Sequence, residues 1–305
     1  MTQWTLFGGV TFVVLFLVVF LARASATVLE QASSAVEQTD PESQNSAIER
    51  NEEEDIRLDP ADHPPEVEVE DQVDNVETEV ESHPSHRDDR PAVTRNGSLT
   101  DLSTRALHAN VAVSHGLFAT ILLAAIYFGE VPSAPLGVTA DGLSTGWMAV
   151  GTGIAFGVVL ALANTMAVGL ARAFGADPSE RLRELLTPDS LMGWAMLLVV
   201  VLPVIAVFEE LLFRAALIGG FAAWLDVSSW VLVLLSSVVF GLGHVTQGRL
   251  GVVVTGVLGI ALGAAFVLTN SLLVVIVAHY MINVIEFVVG EGLEWKPFTA
   301  SSTHD

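Results

Sequence analysis

Residues 190–225, SLMGWAMLLVVVLPVIAVFEELLFRAALIGGFAAWL, decide the fold class of this chain. The stretch is apolar enough for a membrane, yet Glu209, Glu210 and Arg214 lie inside it. Ionisable side chains cost several kcal/mol at membrane depth, so by default they mark a functional site. One helix over this stretch would be about 54 Å long at about 1.5 Å per residue. We therefore expect Pro203 to bend or break it, leaving the second half as a separate helix or a membrane-embedded continuation.

The rest of the hydrophobic region divides into segments that are each close to the length of a membrane span. The predicted spans are about 109–129, 146–171, 190–208, 229–247, 251–268 and 271–289. Residues 6–22 form a further uncharged apolar run, which we interpret as a retained membrane anchor rather than a cleaved signal peptide, since no basic residue precedes it. The sequence predicts an all-α, polytopic membrane protein with seven or eight transmembrane helices.

Charge is segregated from this apolar body. The 305-residue chain is 51% hydrophobic but has a formal net charge of −22. Residues 29–102 contain 22 of the 35 acidic residues and only five Arg. A segment with so few large apolar side chains cannot offset its ordering entropy, so we predict disorder over 28–105. The predicted organisation is an anchor at 1–27, an acidic disordered linker at 28–105, a helical membrane domain at 106–290 and a tail at 291–305.

The composition also limits the classes of function. The strong negative charge argues against nucleic acid as a partner. The chain has no Cys, so thiolate catalysis and Cys-ligated zinc are excluded. Twelve of the 13 basic residues are Arg, and with the acidic polar portion this suggests a salt-adapted source organism.

Two further patterns concern packing and orientation. Small residues recur at helical spacing and predict close helix contacts: Gly153, Gly157, Ala161, Gly256, Gly259 and Gly263. Arginines before residue 190 (Arg172, Arg181, Arg183) indicate a cytoplasmic connection, in which SERLRELL (179–186) suits the membrane surface. Arg249 indicates the same for the connection after His244. If the chain breaks within 190–225, the number of spans between these two connections does not place both on the same side of the membrane. The orientation therefore stays open.

Helical spacing separates the two glutamates. Glu210 and Arg214 are four residues apart and share a face, so they form a natural charge pair. Glu209 points about 100° away and is free to do chemistry. The alternative is that both glutamates only hold helices together with Arg214.

Two later segments add further polar groups. His244 follows Phe240 by one turn, and His279 and Asn283 are also one turn apart. Each could be a packing residue, but all of them on neighbouring helices favour a shared catalytic pocket. Glu, two His and Asn suit the activation of water: the carboxylate accepts a proton from water, and the imidazole and amide donate hydrogen bonds to a developing oxyanion.

A metal site is the open alternative for the same residues. Two His and a carboxylate can hold zinc with one position left for water, here Glu209, His244 and His279. The common helical zinc-protease signature HExxH is absent from the sequence. The sequence therefore leaves two alternatives open. The site holds zinc or another divalent metal as a cofactor, or it works without a metal.

Three motifs in this order resemble those of the CPBP family, which comprises type 2 CAAX prenyl endopeptidases and the bacteriocin-processing or Abi-type intramembrane proteases. The motifs are EExxxR, FxxxH and HxxxN, present here as EELLFR (209–214), FGLGH (240–244) and HYMIN (279–283). The resemblance implies Glu209 as the base that activates water, with His244 beside it. It further implies that His279 and Asn283 stabilise the oxyanion. The resemblance covers about residues 190–290, which form the family core of the membrane domain.

The same resemblance assigns a supporting role to Glu210 and Arg214. Ala215 stands where glycine often follows the arginine, which is a small departure. The expected activity is cleavage of a peptide or membrane-tethered protein by an intramembrane endopeptidase, in a multi-pass protein of the cell membrane surrounded by lipid.

Two other classes of function remain open. Buried Glu and His also mark ion pathways, so a transporter or proton relay is the first alternative. The first half of the chain has no second EExxxR-like segment, which weakens this alternative because transporters often contain internal repeats. A non-catalytic scaffold or immunity protein of the same fold is the other alternative.

Overall fold

The computed structural model describes the backbone of residues 3–39, 96–173 and 181–292, and the side chains of 3–27, 104–171 and 183–291. Within these ranges the regular structure is helical and no strand occurs, which confirms the all-α prediction. The chain divides into two compact units, one of Met1–Leu29 with Asn96–Asp305 and one of Glu30–Arg95. The predicted acidic linker at 40–95 and the tail from 293 lie outside the described residues.

The helices are numbered here in chain order over the described residues. They are α1 (Trp4–Thr39), α2 (Asn96–Phe128), α3 (Gly142–Thr145), α4 (Trp147–Ala173), α5 (Arg181–Leu186), α6 (Leu191–Leu225), α7 (Ser229–Gly243), α8 (Gly248–Thr269) and α9 (Leu272–Phe287). Six of them are long and apolar enough to cross a membrane, and α7 is a shorter apolar helix. Together they agree with seven spans, the lower of the two predicted numbers.

Helix α6 runs without a break through the stretch that was expected to divide. Pro203 has no N–H to donate, and the wider π-helical turn Leu197–Val201 precedes it, so the helix absorbs the missing hydrogen bond. The predicted break is therefore wrong, and the second half is a continuation of the same helix, which was the alternative. A second π-helical segment, Leu211–Gly220, follows directly after the two glutamates.

The prediction of a helical span over 229–247 is wrong at its carboxyl end. Helix α7 stops at Gly243, and His244 has the non-helical angles φ −104° and ψ 25°. A short 3₁₀ turn, Val245–Gln247, then leads to α8. This helix begins at Gly248, whose φ is positive at 76°. Glycine adopts this conformation at little cost, so the chain reverses here within a few residues. His244 therefore lies in a turn rather than inside a span.

The two ends of the segment predicted to be disordered are helical. Helix α1 continues to Thr39, and α2 begins at Asn96. Residues next to a membrane span extend an existing helix without a new nucleation cost, and those at 28–39 include several good helix formers such as Ala, Gln and Glu.

The helix ends define two faces of the membrane domain. On the first, the Nε2–H of His108 in α2 donates to the carbonyl oxygen of Leu186 in α5 at 2.7 Å. The Arg183 Nε of the same short helix lies 2.9 Å from the Glu291 Oε1 beyond α9. Helix α5 also packs against the turn Val245–Gln247. We call this end of the bundle the arginine face, because the basic residues that flank the spans lie there.

The opposite face holds the other helix ends. The amide of Gln3 donates to the Gly129 carbonyl at 2.8 Å, and the amide of Leu272 donates to the Gly137 carbonyl at 3.0 Å. Helices α4 and α9 both start at this face, so they run parallel towards the arginine face.

Glycine allows α4 and α9 to approach closely. A Cβ at Gly153 would lie 2.7 Å from the Val274 carbonyl oxygen, and one at Gly157 would lie 2.6 Å from that of Ala278. The small-residue repeat on α4 therefore packs against α9, as predicted. This contact fixes the position of α9, which carries His279.

Candidate active site

The two glutamates lie where α6 changes from α-helical to π-helical geometry. Glu210 is the last residue of the α-helical part and Leu211 begins the wider segment. The Arg214 Nη1 donates to the Glu210 Oε1 at 2.7 Å, with both side chains at most 1% exposed. The predicted i,i+4 pair is thus present and sealed from solvent.

Three groups together satisfy the Arg214 guanidinium. Besides Glu210, the carbonyl oxygen of Gly259 in α8 accepts from Nη2 at 3.3 Å. The guanidinium also lies over the ring of Phe240 in α7, 4.5 Å from its centroid. A planar cation on an aromatic face is stabilised further when it is desolvated. Arg214 therefore ties α6 to both α7 and α8.

His279 connects α9 to both glutamates. Its Nδ1–H donates to the Glu210 Oε1 at 2.7 Å, since an ionised carboxylate can only accept. The opposite ring nitrogen, Nε2, lies 3.7 Å from the Glu209 Oε2. That distance is too long for a direct hydrogen bond, and a water that contacts both atoms would lie beside the line that joins them. Glu210 therefore orients the imidazole so that its free nitrogen faces Glu209.

Glu209 combines burial with an unsatisfied oxygen. Its side chain is 12% exposed, and its Oε2 is buried without a hydrogen-bond partner among the described residues. A buried carboxylate oxygen without a partner is costly, so a water or a substrate group is expected to bind it. This oxygen and the His279 Nε2 together define the reactive centre of the candidate site.

His244 joins the site through Phe240. Its Nδ1–H donates to the Phe240 carbonyl oxygen at 2.8 Å, and the two rings are 4.8 Å apart. Phe240 also contacts the His279 ring, with centroids 6.0 Å apart. Between the described side chains of His244 and Glu209 there is no hydrogen bond or ion pair. In this geometry His279, rather than His244, lies nearest to Glu209.

Asn283 lies one turn beyond His279 on α9. It is half-buried, and its amide makes no side-chain hydrogen bond within the described part of the chain. One further turn along, the Asn164 amide of α4 donates to the Glu286 carboxylate. Neither Asn164 nor Glu286 belongs to the three motifs.

The residues proposed as metal ligands are only partly brought together. The Glu209 Oε2 and the His279 Nε2 converge, but His244 does not join them, and no group of three His, Cys, Asp or Glu able to hold a metal occurs within the described residues. A catalytic zinc site needs three protein ligands. The arrangement does not fit the Glu209–His244–His279 ligand set.

Phe240 is the central residue that the sequence left unassigned. Its ring contacts Arg214, His244, His279 and Phe213, the last with ring centroids 4.9 Å apart. The signal in the sequence was its position four residues before His244. This position indicated a contact with His244 and gave no sign of the contacts with the other three residues.

A comparison with protein families matches residues 191–285 to the family described as Type II CAAX prenyl endopeptidase Rce1-like. This segment is similar to an Rce1-like domain. It covers less than half of the chain and includes all six predicted site residues. The resemblance inferred from the three motifs is confirmed over this segment, which at family level supports an intramembrane CAAX-type protease. No curated protein and no solved structure matches the chain.

Proposed function

We propose that the protein is an intramembrane endopeptidase that hydrolyses a peptide bond of a membrane-associated protein or peptide with water activated by Glu209. The observation that carries the proposal is the 3.7 Å gap between the Glu209 Oε2 and the His279 Nε2, beside an otherwise unsatisfied carboxylate oxygen. One water beside the line that joins these two atoms can contact both the base and the oriented imidazole.

In the proposed reaction, Glu209 takes a proton from the bridging water as the water oxygen attacks the scissile carbonyl carbon. The carbonyl oxygen becomes an oxyanion in a tetrahedral intermediate. Collapse of the intermediate breaks the C–N bond, and Glu209 passes its proton to the leaving amine nitrogen. General base catalysis of this kind contributes about 10²–10⁴-fold to a rate.

The oxyanion needs hydrogen-bond donors, and α9 supplies them. With Nδ1–H given to Glu210, a protonated His279 presents Nε2–H to the reaction centre. The Asn283 amide lies one turn away on the same helix, has no side-chain hydrogen bond among the described residues, and provides a second donor. We assign His244, in the turn after α7, to orient the substrate or the water.

Glu210 and Arg214 act through His279 and not on the substrate. Glu210 fixes the ring orientation, as carboxylates commonly do for catalytic imidazoles. Arg214 compensates the charge of Glu210. With His279 protonated, two anions and two cations balance in the buried cluster, which limits the cost of placing them at membrane depth.

We propose a metal-free mechanism, because the converging donors are two and not three. Exhaustive treatment of the purified protein with a chelator is therefore expected to leave the cleavage rate unchanged, while Glu209→Gln protein stays inactive with or without added Zn²⁺. The measurement is cleavage rate together with metal content of the same sample. Loss of activity on chelation that added Zn²⁺ restores would instead require a metal at Glu209 and His279.

The proposed substrate class is a peptide tethered to or inserted in the bilayer. The name of the matched family refers to prenylated CAAX termini, which makes a lipidated C-terminal peptide the first substrate to test. The direct experiment incubates the protein in liposomes with such a peptide in ¹⁸O-labelled water. One ¹⁸O atom in the new carboxyl terminus is expected, and cleavage without it would exclude direct attack by water.

We further propose that the arginine face is cytoplasmic in the cell membrane. Basic residues flank the spans at this face: Arg23, Arg105, Arg172, Arg181, Arg183 and Arg249. The described connections at the opposite face contain Glu130, Asp141 and Asp226 and no Lys or Arg. This asymmetry follows the positive-inside rule, and the unbroken α6 removes the conflict that left the orientation open.

The orientation predicts the accessibility of single cysteines, which the chain naturally lacks. In intact cells, Asp226→Cys at the opposite face is expected to react with a membrane-impermeant thiol reagent, whereas Arg249→Cys is expected to react only after permeabilisation. The reverse pattern would place the arginine face outside the cell and would contradict the proposed orientation.

A further inference from the structure

One face of α9 carries polar side chains from the reactive centre towards the arginine face. His279, Asn283 and Glu286 are four and then three residues apart, so they lie within about 60° of one another around the helix. The distance from His279 to Glu286 along the axis is about 10 Å. All three are inside the candidate membrane span Leu272–Glu291.

The neighbouring helix α4 also changes from apolar to polar residues towards the arginine face. Its small-residue repeat, Gly153 and Gly157 followed by the fully buried Ala161, packs against α9. The next position on the same side of α4 is Asn164, whose amide bonds to Glu286. The tight apolar contact between α4 and α9 therefore ends at Ala161, and the interface becomes polar towards the arginine face.

Asn164 and Glu286 bond to each other across the two helices, but groups of this polarity also attract water. Glu286 and Asn164 are half-buried at positions where a membrane helix pair is normally held by small or apolar residues. Charged and amide groups at this depth line water-filled cavities or substrate pathways by default. Meanwhile Glu209 lies deep in the bundle and consumes one water for each peptide bond cleaved.

We propose that Asn283 and Glu286 of α9, together with Asn164 of α4, line a hydrated track along the polar face of α9 that carries water from the arginine face to Glu209. Asn164 and Glu286 are positioning residues in this assignment, since they hold water and do not touch the reacting atoms. Because the track serves the catalytic water, its role rests on the proposed function, whereas its hydration is measurable without any substrate.

The absence of native cysteine makes the test direct. Asn164→Cys, Asn283→Cys and Glu286→Cys proteins in liposomes are treated with a water-soluble thiol reagent. The matched control is Met166→Cys, because Met166 is 68% exposed on the outer, lipid-facing side of α4 and lies two residues closer to the arginine face than Asn164. If depth alone governed labelling, the control would react faster.

We expect the three track cysteines to react at least about tenfold faster than Met166→Cys, because only a hydrated thiol ionises to the reactive thiolate. Labelling of Asn164→Cys and Glu286→Cys no faster than of the control would overturn the track. Three positions are used so that one misfolded variant, recognised by its altered elution, does not decide the result.

The two proposals fail in different ways. Slow labelling of the track together with cleavage that depends on Glu209 would leave the protease and remove its water route. Rapid labelling in a protein that cleaves nothing would leave a hydrated cavity and remove the proposed function. A further readout is Asn164→Leu, for which we expect a lower kcat with little change in KM, and recovery in Asn164→Ser.

Discussion

Glu209→Gln is expected to lower the rate of peptide cleavage by about 10³-fold, the central value for loss of a general base. Glutamine has nearly the same shape but cannot accept a proton from water. The fold should be unaffected, since the Glu209 carboxylate has no hydrogen bond within the described part of the chain and lies 3.7 Å from its nearest ionic neighbour. Substrate binding, measured separately, is expected to stay close to that of wild type.

The adjacent residue provides the matched control. Glu210→Gln makes the same chemical change one position along, but Glu210 is fully buried and accepts from both Arg214 and His279. We expect this variant to lose thermal stability, while Glu209→Gln loses activity at an unchanged Tm. Rates and Tm values measured on both proteins separate the two roles. A Glu209→Gln protein that cleaves at more than a tenth of the wild-type rate would contradict water activation by this carboxylate.

Part of this site could be predicted from local spacing. The Glu210–Arg214 pair follows from a separation of four residues on one helix, and Glu209 faces elsewhere for the same reason. The bond between His279 and Glu210 could not be found in this way, since it joins residues 69 apart. It depends on how closely α9 approaches α6, which is set by packing along its whole length.

The errors of the sequence-based fold have a common origin in backbone adjustments. Pro203 was expected to end a helix, but a π-helical turn before it keeps the chain continuous. His244 was placed inside a span, but α7 stops one residue earlier. Hydropathy finds segments of the right length and is insensitive to one extra residue in a turn or to the residue at which a helix ends.

Removal of the buried cation is expected to destabilise the protein more than any other single change at the site. Arg214→Met leaves the Glu210 carboxylate, which is fully buried, with His279 as its remaining partner. Breaking a buried ion pair on one side costs about 3–5 kcal/mol. The variant is therefore expected to unfold at a much lower temperature, or to fail to accumulate in the membrane.

The matched control for this change is Arg183→Met at the arginine face. Arg183 also pairs with a glutamate, Glu291, at 2.9 Å, but its side chain is 25% exposed. Solvent weakens a partly exposed pair, so this variant should lose much less stability in thermal unfolding than Arg214→Met. Equal losses in both variants would mean that the cost reflects the lost arginine stem and not the buried charge.

A double variant tests the cause itself. In Glu210→Gln with Arg214→Met the anion and the cation are removed together, so no uncompensated charge remains in the bundle. We expect part of the lost stability to return, since a buried pair replaced as a whole is often nearly neutral in free energy. Cleavage should not return with it, because the neutral amide no longer holds His279 protonated with Nε2 aimed at Glu209. Recovery of stability without recovery of turnover would show that this pair is retained for the orientation of His279 and not for folding alone.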